Sequence, residues 1–174
     1  SQKNPLSPLG ISKIMVEDYI GYLQNTTDII FTTLRYFNAY GPRQRLSEFS
    51  GIIPNAIMKA LIGGEITIFG GGDQTRDFIY VEDIAKANLK VIEHPINGIF
   101  NVGSGQGTSV IKLITTIEKL LGKKMRKKYE QSSNEIAVSI ADISKMKKTF
   151  KWKPTVSLTN GLKKTIGYYE EYQL

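Results

Sequence analysis

Ile29-Ile30-Phe31-Thr32-Thr33-Leu34-Arg35-Tyr36 is the stretch on which the fold turns. Its β-branched and aromatic residues predict a strand over 29–36, which Gly41-Pro42 then breaks. Upstream, Ser7-Pro8 is a helix start, with Ser as N-cap and Pro at the first helical position. Ile11, Met15, Tyr19 and Leu23 then recur every four residues and give one apolar helix face, ended by Asn25-Thr26-Thr27-Asp28. A polar loop, 43–50, follows the strand. Beyond it the pattern of helix and strand repeats. A helix over 52–62 ends at Gly63-Gly64. Short strands over 65–69 and 77–81 flank the turn Gly70-Gly71-Gly72-Asp73. A helix over 82–93 turns Ile84, Ala87, Leu89 and Val91 inward or partly inward, and a strand covers 99–102.

The last third reads in the same way. A helix over 109–121 puts Val110, Leu113, Ile114, Ile117 and Leu121 on one face. A strand over 127–130, a polar loop over 131–135, a short helix over 142–150 and a last helix over 158–172 complete the chain. That last helix carries Leu162, Ile166 and Tyr169. Strands alternating with helices at this spacing define an α/β class. The 174 residues suffice for a sizeable core, without internal repeats or a long linker.

Composition narrows the function classes. No apolar run approaches the ~20 residues of a membrane-spanning helix. Ser1 opens the chain without a Met or a charged-then-apolar leader, which reads as an internal start with no signal peptide. The absence of Cys excludes disulfides and thiol catalysis, and the lone His94 leaves no His-based metal site. The net charge of +7 is concentrated in Lys123, Lys124, Arg126, Lys127 and Lys128 and in Lys145, Lys147, Lys148, Lys151 and Lys153. Aromatic residues are not interleaved with them as in a single-strand-binding platform, so a solvated surface is expected and nucleic acid is not.

Gly103-Ser104-Gly105-Gln106-Gly107 lies between a predicted strand and a predicted helix, the context of a dinucleotide-binding turn. The spacing is G-x-G-x-G, not G-x-G-x-x-G. About twenty residues on, where an acid would hold the ribose, stand Lys123 and Lys124. The turn is therefore expected to aim a helix, with Ser109 as its cap.

Four ordered blocks carry a resemblance: Leu34–Gln44 (LRYFNAYGPRQ), Asp73–Asp83 (DQTRDFIYVED), Phe100–Gly105 (FNVGSG) and Ala141–Lys145 (ADISK). Together they resemble the C-terminal half of extended short-chain dehydrogenase/reductases of the NAD-dependent nucleotide-sugar epimerase/dehydratase family, the UDP-glucose 4-epimerase group in particular. The resemblance covers essentially the whole chain. It implies the C-terminal part of a Rossmann-type NAD(P)-binding fold, from residues 1–50 and 82–108, and a small α/β substrate-binding domain, mostly from 51–81 and 109–174. The N-terminal cofactor-binding half is expected to be absent. Epimerisation, dehydration and decarboxylation of a nucleotide sugar all stay open, as does a non-catalytic nucleotide-diphosphate-binding or interaction module.

The resemblance also assigns residues. The family's Tyr-x-x-x-Lys motif matches Leu9-Gly10-Ile11-Ser12-Lys13. In the family the Tyr is the acid/base, and the Lys one turn on favours its phenolate, whose ordinary pKa is ~10. Lys13 is kept here, but Leu9 can neither take nor give a proton. General acid–base catalysis is worth roughly 10²–10⁴-fold, so turnover is expected to be badly impaired. Tyr36 matches the residue lining the nicotinamide pocket, Asn38 and Arg76 those on the substrate diphosphate, and Phe69 the residue beside the base. For Arg76 a structural pairing with Asp77 or Asp83 is the competing reading. The family's Arg-x-Gly-Asp becomes Ser132-Ser133-Asn134-Glu135: Ser132 loses the phosphate-gripping Arg, while Glu135 keeps the acid. The implied cofactor is NAD, not expected to be held by this stretch alone. The implied partner is a nucleotide-diphosphate sugar, and the implied compartment is the cytoplasm. Strands left without the cover of a larger sheet are expected to self-associate or to be marginally stable.

Overall fold

The computed structural model describes residues 5, 7–45, 50–131 and 136–172. Helix α1 (Pro8–Thr26) is capped by Ser7, whose side chain accepts from the Gly10 N–H. It leads into β1 (Thr32–Tyr36) and β2 (Asn38–Tyr40). Helix α2 (Ile52–Leu61), β3 (Glu65–Phe69), β4 (Thr75–Tyr80) and α3 (Val81–Glu93) follow. Then come β5 (Gly98–Val102), β6 (Gly107–Ser109) and α4 (Val110–Leu121), and finally β7 (Arg126–Glu130), β8 (Val138–Ser139), α5 (Ser144–Phe150) and α6 (Leu158–Tyr172). The mixed α/β class expected from the alternation is observed.

The strands form separate small sheets. β1 pairs in parallel with β5, Thr32 opposite Gly98 through Tyr36 opposite Val102. β4 is flanked by β2 in parallel and β6 antiparallel, and β8 also pairs with it. β3 pairs in parallel with β7 over Glu65–Phe69 and Arg126–Glu130.

One core joins α2, β3, β4, α4 and α6 around Ile53, Ile57, Ile68, Leu113, Ile117 and Leu162. The inward face expected for α4 is observed, and Ser109 caps it by accepting from the Lys112 N–H. Leu162, Ile166 and Tyr169 of α6 are buried as expected. A second cluster gathers Ile79, Ala87, Phe100, Val102, Met146, Phe150 and Trp152.

The structure corrects several readings. The strand predicted over 29–36 starts only at Thr32, and Ile29 and Ile30 are exposed. The β5 partner begins at Gly98, and before it the Asn97 side chain takes the Phe31 N–H while Thr32 Oγ1 bonds the Ile96 carbonyl, so the ladder ends there. Leu89, read as inward or partly inward, is exposed, because α3 turns Asp83 and Ala87 to the core. Ile11, Met15 and Tyr19, read as one apolar face of α1, are also exposed, and α1 buries no residue fully. Its inner side is instead polar in part: Glu17 forms a two-point ion pair with Arg35 of β1. β2, β6 and β8 were not anticipated, being two or three residues each.

Candidate functional site

The glycine turn is filled by the protein's own anion. Asp77 is fully buried. Its Oδ1 accepts from the Ser104 N–H at 2.7 Å and the Ser104 hydroxyl at 2.6 Å. Its Oδ2 accepts from the N–H groups of Gly105 at 2.9 Å and Ala141 at 3.1 Å. Successive backbone N–H groups of this kind are what a phosphate would use. Here a carboxylate occupies them and would repel a second anion. Gly103 is required by the packing, since a Cβ there would sit 2.4 Å from the Ala141 Cβ and 2.7 Å from Asp77 Oδ2. The turn therefore does not fit the cofactor pyrophosphate and serves to lock β4, β5 and the 141 segment together.

A second buried carboxylate, Asp83, ties α3 to the loop before α6. It accepts from the N–H groups of Thr155 and Val156, from the Thr155 hydroxyl and from Lys86. Burial alone would raise its pKa. The Val156 and Thr155 groups and Lys86 outweigh burial and hold it below the ordinary carboxylate value. The Trp152 indole N–H donates to the Asp83 carbonyl. The two acids thus act as structural knots, and neither lines the cleft that gathers the assigned substrate residues.

A cleft of ≈ 540 Å³ opens above β3 and β4, and Asn38, Phe69 and Arg76 all line it. Arg76 comes from β4, Asn38 from the start of β2 and Phe69 from the end of β3. The register places Asn38 opposite Phe78, and the Asn38 amide donates to the Asp77 carbonyl at 2.8 Å. Arg76 Nη1 donates to the carbonyls of Thr75 at 3.0 Å and Ile136 at 2.6 Å. It pairs with neither Asp77 nor Asp83, whose partners are given above. Both Nη1 protons are thereby used, and the Nε–Nη2 edge makes no hydrogen bond among the described residues. That edge is the fork that matches two phosphate oxygens.

The remaining assigned residues lie elsewhere. Tyr36 is 48% exposed, and its hydroxyl donates to Asn88 Oδ1 at 2.9 Å. It shares a shallow neighbouring pocket with Phe37, Asn38 and Ser139. Leu9 and Lys13, one turn apart on α1, line neither pocket, and Leu9 is 68% exposed. Ser132 and Glu135 lie outside the described residues. Reasoning from sequence missed Asn55, Lys59 and Gln74, which also line the cleft. Ile52, Asn55 and Lys59 are spaced i, i+3, i+7 along α2, so they form one row beside its buried face of Ile53, Ala56, Ile57 and Ala60. Two polar residues in that row were the available signal.

Residues 1–103 match the model of the NAD dependent epimerase/dehydratase family. The chain is 33% identical over 171 residues to UDP-glucuronate 4-epimerase of Thermodesulfobacterium geofontis, covering 96% of this chain and 51% of that protein. It is 34% identical over 150 residues to UDP-N-acetyl-alpha-D-glucosaminuronate decarboxylase of Bacillus cytotoxicus, covering 82% and 47%. Among solved structures, UDP-glucose 4-epimerase of Thermotoga maritima with UDP-glucose superposes with a TM-score of 0.94 at 35% identity, over 98% of this chain and 56% of that one. The chain thus spans about half the length of the relatives it matches. The extent of the family match, joined to identity above 30% across nearly all 174 residues, means that the chain belongs to the NAD dependent epimerase/dehydratase family.

Proposed function

We propose that this chain is the nucleotide-sugar-binding portion of a UDP-glucose 4-epimerase-like protein and that, taken alone, it binds the nucleotide diphosphate without turning it over. The observation that carries the binding half is Arg76: its guanidinium is anchored through Nη1, its Nε–Nη2 edge makes no hydrogen bond among the described residues, and it lines one cleft with Asn38 and Phe69. Asn38 would take a diphosphate oxygen and Phe69 would cover one face of the base. Residues 51–81 and most of 109–174 make up this binding part, and 1–50 with 82–108 belong to the cofactor side. NAD, when bound, would supply hydride transfer. Lys13 and Tyr36 are this chain's own residues toward the nicotinamide, and Glu135 is assigned to the substrate. The turn at 103–107 offers the cofactor no phosphate site.

Leu9 supports the absence of turnover. It stands where an acid/base would be needed, on the same helix face as Lys13 one turn on. With no side-chain proton acceptor there, removal of a sugar hydroxyl's proton as hydride leaves is slowed by roughly 10²–10⁴-fold. Decarboxylation within the same family would need the same oxidation first. The exposed row Met15, Tyr19 and Tyr22 on α1 further favours self-association with a second copy.

Calorimetry with UDP tests binding, and a coupled assay of UDP-glucose to UDP-galactose conversion with NAD tests turnover. Heat with UDP and no conversion is expected. Conversion by this chain would refute the inactive reading, and no heat at millimolar UDP would refute the binding one.

A further inference from the structure

Gln44 closes the first motif block and has no assigned role. Its backbone is held, since the buried Tyr169 donates its hydroxyl to the Gln44 carbonyl at 2.6 Å. Its side chain is not satisfied: Oε1 is buried and accepts no hydrogen bond. A buried amide oxygen without a donor costs stability, and native structures almost always supply one. The amide faces the start of α2, with Nε2 3.8 Å from where a Cβ on Gly51 would stand.

Donors without partners stand at that same place. The first N–H groups of an α-helix have no acceptor within their own helix. Gly51 is the N-cap of α2, and no side chain caps this end. Ile53, in the first turn, is 2% exposed and so out of reach of bulk solvent. Pro54 follows it and brings no N–H of its own. Gln44, Gly51, Ile52, Ile53 and Pro54 all line one small cavity of ≈ 40 Å³. Its size decides the occupant. A water takes about 30 Å³ of liquid volume and needs about two to four polar partners. One water fits and a phosphate does not. The cavity lies directly behind the candidate cleft, because Asn38, Ile52 and Phe78 line both.

We infer that Gln44 is a positioning residue acting through one buried water, which accepts from the first-turn N–H groups of Ile52 and Ile53 and donates to Gln44 Oε1. The bridge fixes the start of α2 against β2, behind Asn38. The water stands independently of the nucleotide-binding reading, whereas its effect on affinity rests on that reading.

The test joins a high-resolution crystal structure of the 174-residue chain to thermal melts and UDP calorimetry of Gln44→Met and Gln44→Glu. A water within hydrogen-bond distance of both Gln44 Oε1 and a first-turn N–H of α2 is expected. Gln44→Met keeps the length and loses the acceptor. It should lower the Tm by about 2–4 °C and weaken UDP binding roughly two- to tenfold, the worth of one neutral hydrogen bond. Gln44→Glu keeps the acceptor and adds a charge that the positive end of α2 favours, so it should hold both values near wild type. A side chain that only filled space would be replaced well by Met and not by Glu. Two results overturn the inference: a Gln44 amide bonded directly to α2 with no water between them, or Gln44→Met melting at or above the wild-type Tm, as filling a dry cavity would give. The expected water and Tm loss, found together with no UDP heat from the wild-type chain, would keep the bridge and remove the nucleotide-binding reading alone.

Discussion

Helices α1 and α4 both carry apolar residues at helical spacing, yet they end in opposite environments. α4 buries Val110, Leu113, Ile114 and Ile117 against α2 and α6. α1 buries no residue fully and leaves Leu9, Met15, Tyr19 and Tyr22 in solvent. The difference lies in what each finds beside it. α4 packs on elements within these 174 residues, whereas α1 has β1 and a polar inner contact, Glu17 with Arg35. An apolar stripe states that a face should be covered; it does not state that the cover belongs to the same stretch of chain.

The largest expected effect in breaking this comparison is on stability. Ile117→Ala, a truncation in a fully buried position, should cost roughly 2–5 kcal/mol. Met15→Ala, with the side chain 66% exposed, should stay within about 0.5 kcal/mol. Urea unfolding of both variants checks the contrast, and equal losses would mean that α1 is covered in solution. Next in size is the site: Arg76→Ala should lower UDP affinity roughly tenfold to a hundredfold, read by calorimetry, because it removes a charge-assisted pair.

Acid sharpens the comparison further. Glu118 of α4 is buried and accepts from Lys127 Nζ at 2.7 Å and from the Met125 N–H at 2.9 Å. Burial pulls its pKa up, but Lys127 and Met125 outweigh it and hold the carboxyl below its ordinary value, as happens at Asp83. A depressed folded pKa contributes stability that is complete above the unfolded value, about 4, and is lost as pH falls through the lower folded value. The Tm should therefore drop below about pH 4, and Glu118→Gln should flatten that drop. The smallest effect is expected at the outer face of α1. Tyr19→Lys should leave the Tm nearly unchanged while shifting the light-scattering mass toward the monomer, and an unchanged mass would dismiss self-association through this face.

Much of the element order was legible because periodicity marks the longer elements and two helices, α1 and α4, announce their starts. Ser7 and Ser109 cap the helices that follow them, as their types and positions predicted. The short strands β2, β6 and β8 were not legible, since two or three residues carry no period and their pairing with β4 is decided at long range. For the site, Arg76, Asn38 and Phe69 came from motif blocks, and the structure draws them to one cleft. Lys59 and Asn55 lie in no such block and reach the cleft only because α2 docks its other face on the core.

The sequence by itself determined the α/β alternation, the family, and the chemical fact that Leu9 carries no proton. Local propensity, motif residues and side-chain identity do not depend on packing. Only the tertiary structure decided that the glycine turn embraces Asp77 and not a phosphate, that Arg76 is anchored through Nη1 with no hydrogen bond on its other edge among the described residues, and that α1 buries no residue fully. Each of those depends on which distant group arrives to satisfy a donor or bury a surface, and that is set by the packing of the whole chain.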